Sequence, residues 1–193
     1  MLDYAPTYQD NHDGHGDGKT VNSYNATVAN IGYKFNDRFQ LTAAYSNSHN
    51  DNEYPFELMT FGFNAKLGKD WGLTAEYIKN NNDYVSSDED DGYWIRATYG
   101  KADFNKKGSF SIYAEYLNFE PYAIDGRTYG HVLDVPANNW YNEGAKGYGI
   151  GITYVPAKNM NVQFIFHDLK PEIDLGFDVD FRNSYQFVTN FRF

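Results

Sequence analysis

The 193-residue chain contains no cysteine, which excludes a disulfide framework and a thiolate metal site. It has no run of about 18 consecutive apolar residues, which excludes a membrane-spanning helix. Basic residues are scarce: 16 Lys and Arg against 26 Asp and Glu leave a formal charge of −10. That balance argues against nucleic acid as a partner, because phosphates call for a basic surface. The opening residues Met1-Leu2-Asp3-Tyr4 lack the basic start and apolar run of a signal peptide. The expectation is that a leader has been removed or that the chain begins inside a longer protein. No nucleophile–base spacing is present, so the chain is expected to be no enzyme and to carry no cofactor.

Aromatic residues are abundant, at 19% with 18 Tyr and 15 Phe, yet the chain is hydrophilic on average. Both hold if the aromatics occupy every second residue instead of pooling in a core. A period-two reading predicts nine strands of about ten residues. The first runs near Thr27–Phe35 with Ala29, Ile31, Tyr33 and Phe35 on one face. Then come faces led by Phe39, by Met59, by Trp71, by Tyr93, by Phe110, by Tyr148 and by Met160. The last alternates Tyr185, Phe187, Thr189, Phe191 and Phe193 with Gln186, Val188, Asn190 and Arg192. An aromatic final residue on such a strand is how outer-membrane barrels end, an expectation consistent with a lipid-facing closing strand.

The opposite faces carry Thr74 and Glu76, Arg96 and Thr98, Tyr113 and Glu115, and the stripe Gly147, Gly149, Gly151. A soluble sandwich would gather its aromatics inward and its charges outward. Here aromatics cap both ends of many apolar faces, such as Phe39/Tyr45, Trp71/Tyr77 and Phe110/Tyr116, as interfacial girdles do. Connections alternate between short ones (Asn36–Arg38, Gly68–Asp70, Asp103–Gly108, Pro156–Asn159) and long ones (Ser46–Pro55, Lys79–Asp91, Asn118–Lys146, Leu169–Asp180). The expected fold class is therefore all-β: an antiparallel transmembrane β-barrel, one domain over residues 1–193, in the outer membrane with lipid and lipopolysaccharide around it. Nine strands cannot close antiparallel. Either a short strand at Leu2–Thr7 makes a tenth, or the chain is part of a larger barrel.

Two stretches add a resemblance. They are Tyr99-Gly-Lys-Ala-Asp-Phe-Asn-Lys-Lys-Gly-Ser-Phe-Ser-Ile-Tyr-Ala-Glu-Tyr116, and Gly144-Ala-Lys-Gly-Tyr-Gly-Ile-Gly-Ile-Thr-Tyr-Val-Pro-Ala-Lys-Asn-Met160 followed by Phe166-His-Asp-Leu169. They resemble the carboxy-terminal barrel of outer-membrane porins whose longer members carry an amino-terminal S-layer-homology domain. The resemblance implies a large barrel, a homotrimer, and passage of small hydrophilic solutes. No S-layer-homology domain is in this chain, so the family's tether to the cell wall does not carry over.

Glu76, Arg96 and Glu115 lie on three consecutive polar faces, each about six or seven residues from its short turn. They read either as a charged patch lining a water-filled lumen or as an ion-pair ladder bracing a narrow interior. Lys34, Lys66 and Arg192 are further pore-lining candidates nearer the short-turn end. Asn118–Lys146, the longest loop, reads as an external lid or as a constriction folded inward. The glycine stripe leaves room either for such a loop or for crowded side chains. His12, Asp13, His15 and Asp17 match no strong metal motif, and Asp88–Asp91 would attract divalent cations only loosely. His167 and Asp168 are neighbours on a strand and point to opposite faces, so they form no pair. The function these features imply is a porin-type diffusion channel. The alternative is a small closed barrel with a structural or adhesive surface role through its long loops.

Overall fold

The computed structural model describes residues 25–50, 53–82, 89–123, 144–172 and 183–192. Leu2–Thr7, His12–Asp17 and Phe193 lie outside this set. Among the described residues nine strands follow one another: β1 (Asn25–Asn36), β2 (Phe39–Asn50), β3 (Glu53–Leu67), β4 (Trp71–Asn80), β5 (Asp91–Gly100), β6 (Phe110–Phe119), β7 (Ala145–Ala157), β8 (Met160–Lys170) and β9 (Ser184–Phe191). They form one antiparallel sheet in sequence order, every neighbour joined as a hairpin. The sheet is open: among the described residues β1 and β9 each pair on one side only.

Register keeps the two faces separate across the whole sheet. Leu41 opposes Phe63, Ala75 opposes Ile95, Tyr99 opposes Ile112, Ile152 opposes Phe164, and Phe164 opposes Phe187. Because side chains alternate with period two, one slipped residue would exchange the faces. At Lys34–Asn36, Ser48–Asn50 and Tyr154–Ala157 the ladder shifts, each time at the end of a strand.

Burial is inverted relative to a soluble domain. Among the described residues, 24 large apolar side chains are exposed, and all but Val28 belong to the aromatic-rich face. Every buried strand residue, from Leu58, Ile78 and Leu117 to Glu115, Asn161 and His167, belongs to the other face. A flat single sheet would expose both faces alike. Here no second layer covers the buried face among the described residues, so the sheet must curl around it.

The exposed face is banded. Near the short turns aromatic rings touch in sequence, with centroids 5.5 Å apart for Phe35–Phe39, 5.0 Å for Trp71–Tyr99 and 6.3 Å for Tyr99–Phe110. Near the other end Tyr93–Tyr116 and Phe166–Tyr185 do the same at 6.1 and 5.0 Å. Between them lie mostly aliphatic residues such as Leu73, Ile95, Ile112 and Ile150. Phe39 to Tyr45 spans about 20 Å along the strand at ~3.3 Å per residue. Among the described residues, charges appear on this face only past the second aromatic row, where Tyr77 Oη donates to Asp91 Oδ2 at 2.9 Å and Tyr45 Oη to Glu57 Oε1 at 3.2 Å.

One expected long connection is absent. Ser46–Pro55 is mostly strand, since β2 runs to Asn50 and β3 starts at Glu53. Its Ser and Asn residues up to Asn50 have loop composition, but cross-strand pairing, including Ser46 with Leu58 and Asn47 with Glu57, satisfies their backbone groups.

Candidate functional site on the buried face

The buried face is built in rows. One row runs Asn64, Thr74, Arg96, Glu115, Gly149, His167, Ser184 from β3 to β9, each residue directly opposite the next. Glu115 is its hub. Its Oε2 accepts from Arg96 Nε at 2.8 Å, Arg96 Nη2 at 2.5 Å and Trp94 Nε1 at 2.9 Å. Its Oε1 meets His167 Nε2 at 2.8 Å. The Arg96 guanidinium lies over the rings of Trp94 and Tyr113, 4.7 and 4.1 Å from their centroids. Such charge-assisted, stacked contacts hold the planar guanidinium in one orientation.

Glu115 on β6 and His167 on β8 meet across one intervening strand only because β7 presents glycine between them. A Cβ on Gly149 would stand 2.4 Å from His167 Cδ2 and 2.8 Å from Glu115 Oε1. A Cβ on Gly151 would strike the Tyr113 ring. The glycine stripe thus relieves side-chain crowding within the described residues. The other ring nitrogen of His167, Nδ1, is buried without a hydrogen-bond partner among the described residues.

The charged residues singled out from sequence separate into different environments. Arg96 and Glu115 are direct cross-strand partners. Glu76 sits one row away, opposite Gly62 and Trp94, half-buried, with no hydrogen-bond or ionic partner among the described residues. Lys34 is tied to Asp37 at 2.6 Å, next to the first turn. Lys66 is exposed opposite Gly72. Arg192 lies over the Phe104 ring at 4.0 Å. Trp94 and His167, the other members of the hub, were not grouped with Arg96 and Glu115 by spacing. His167 lies 52 residues from Glu115 in sequence, and only the glycine stripe hinted at close approach there.

Towards the short turns from this hub is a hollow of about 500 Å³ walled by Thr98, Ser111, Tyr113, Thr153, Gln163 and Gln186. Towards the long connections the same face turns apolar. Leu58, Ile78, Leu117, Phe119 and Leu169 form a buried cluster with Ala123 and Ala145, and Trp94 packs against it. The polar face expected from sequence is therefore polar over only part of its height. Ala123 belongs to the start of the longest loop, and Asn80 Nδ2 donates to the Tyr122 carbonyl at 3.0 Å. The described start of that loop leans over the buried face.

At the rim, Asp90, Asp91 and Glu120 bring carboxylate oxygens within 4.8 Å of one another. Lys79 already pairs with Asp90 at 2.6 Å, and Asp91 N–H donates to Glu120 Oε2 at 2.9 Å. Burial, and next the charges of Asp91 and Asp90, raise the pKa of Glu120 above the ordinary carboxylate range, while backbone hydrogen bonds oppose the shift. No known family model matches the chain, and no curated protein sequence matches it either.

Proposed function

We propose that the sheet closes into an outer-membrane β-barrel whose buried polar face lines a channel for passive diffusion of small hydrophilic solutes and ions. The observation that carries this reading is the inverted burial: apolar residues exposed in an aliphatic band between two aromatic rows, and charged residues inside. Soluble monomers rarely expose apolar patches beyond several hundred Å², whereas hydrocarbon both tolerates and requires such a band. β1 and β9 run in the same direction, so antiparallel closure takes an odd number of further strands. Residues outside the described set, or a longer polypeptide, would supply them. The resemblance to the S-layer-homology-domain porins points the same way.

In this reading Arg96, Glu115 and His167 brace the wall. Glu76, with no partner among the described residues, is the fixed charge that passing ions meet at the level of the second aromatic row. The apolar cluster narrows the lumen at the end of the long connections. Planar-bilayer recording tests the proposal: stable, stepwise conductance is expected from the folded protein. Silence from protein that is demonstrably folded in the bilayer would favour the second reading, a plugged barrel acting through its loops, which the apolar cluster on the buried face favours.

A further inference from the structure

Charge is segregated along the strands. Arg38, Lys69, Lys101, Lys106, Lys107 and Lys158 all lie on the short connections. That is six of the chain's 16 basic residues, while only three of its 26 acidic residues, Asp37, Asp70 and Asp103, share those segments. In a chain of formal charge −10, one rim is therefore net basic. All six cations are exposed, and none has an ionic partner among the described residues. Two of the three acids are already engaged: Asp37 holds Lys34, and Asp103 Oδ1 accepts from Asn105 N–H at 2.9 Å. The other rim has the opposite character, with Glu57, Glu89, Asp90, Asp91, Glu120 and Glu172 against Lys79, Lys146 and Lys170.

Depth narrows the choice of partner. Each cation sits just beyond the first aromatic row: Arg38 beside Phe39, Lys69 before Trp71, Lys101 after Tyr99, Lys106 and Lys107 before Phe110, Lys158 after Tyr154. Aromatic rows mark the boundary of hydrocarbon, and long basic side chains beyond them reach headgroup phosphates. The connections are short and tied to the sheet. Lys66 N–H donates to the Arg38 carbonyl, Gly100 N–H to Asp70, and Asn159 N–H to Phe104, at 2.7, 2.8 and 2.8 Å. They cannot extend far past the headgroup layer.

We propose that this basic rim binds anionic phospholipid headgroups of the leaflet at the short-turn side, fixing the depth and direction in which the protein sits. The proposal rests on the membrane-barrel reading. Each basic residue near an anionic surface adds attraction that salt screens.

The full chain, refolded into phosphatidylcholine vesicles with and without phosphatidylglycerol, is unfolded with urea at low and at molar salt. The expected result is a higher urea midpoint with phosphatidylglycerol at low salt, erased by molar salt. The variant carrying Lys69→Gln, Lys101→Gln, Lys106→Gln, Lys107→Gln and Lys158→Gln should fold in phosphatidylcholine as wild type does and lose the shift. An equal shift in both proteins overturns the proposal. So does a wild-type protein indifferent to phosphatidylglycerol that instead co-sediments with anionic cell-wall polymer. A chain that enters neither vesicle overturns the barrel reading itself, and the proposal with it.

Discussion

Glu115 and His167 touch across a strand to which neither belongs, their Oε1 and Nε2 atoms 2.8 Å apart over Gly149. The contact joins β6 to β8 without going through the ladder between them. It makes the curl of the sheet a property of side chains as well as of backbone, because a flatter β6–β7–β8 segment would pull the two apart.

Gly149→Ala puts a methyl group into that contact. Overpacking of this kind costs about 1–3 kcal/mol, because the two side chains it meets are held to each other. A lower urea midpoint in detergent micelles is expected, with Gly72→Ala, where a Cβ would meet nothing nearer than 3.9 Å, serving as a reference for glycine loss as such.

Glu115→Gln and Arg96→Ala should both destabilise. Removing one partner of a buried pair costs about 3–5 kcal/mol, and the Arg96 side chain is 31% exposed, so about 2–3 kcal/mol is expected. A double-mutant cycle should show strong coupling between them. Glu76→Gln removes no bond and should leave the midpoint unchanged, while reducing the cation preference read from the reversal potential in a salt gradient.

Leu117 is 1% exposed and lies at the centre of the apolar cluster. Leu117→Ala shortens a side chain in the narrowest part of the proposed lumen, so single-channel conductance should rise. An unchanged conductance would place the constriction elsewhere.

Glu120 gives a pH signature. Its pKa is raised in the fold, so its favourable contribution is complete below the unfolded value, about 4.3, and is lost as pH rises through the folded one. Glu120→Gln keeps an acceptor for the Asp91 N–H and removes a charge. It should stabilise by a few tenths of a kcal/mol at neutral pH, since the site is largely solvated, and the gain should vanish near pH 4. Thermal melts at the two pH values check this.

The nine strands and their two faces were legible because alternation is a local signal, visible in Phe110, Ile112, Ala114 and Tyr116 without any knowledge of neighbours. The register was legible at one remove, since only in-register pairing keeps such faces together. The Ser46–Pro55 segment misled because composition reports which residues favour turns, while strand length there is set by a partner strand. Glu76 was grouped with Arg96 and Glu115 by distance from the turns. The actual ladder puts Thr74 opposite Arg96 and shifts Glu76 by one row, a difference that spacing cannot resolve. The Glu115–His167 contact depended on what lay between them, and the apolar cluster on a face that also holds Glu115 has no periodic signature of its own.

The absence of cysteine makes the most direct test clean, because any single cysteine introduced is the only thiol. Ile112→Cys and Ile150→Cys carry a fluorophore on the exposed face, and Thr98→Cys and Thr153→Cys probe the polar face. In vesicles, brominated lipid tails should quench the first pair, and a charged water-soluble thiol reagent should modify the second. Quenching at Thr98 and Thr153 with aqueous modification at Ile112 and Ile150, or aqueous modification at all four, would contradict the orientation on which the channel rests.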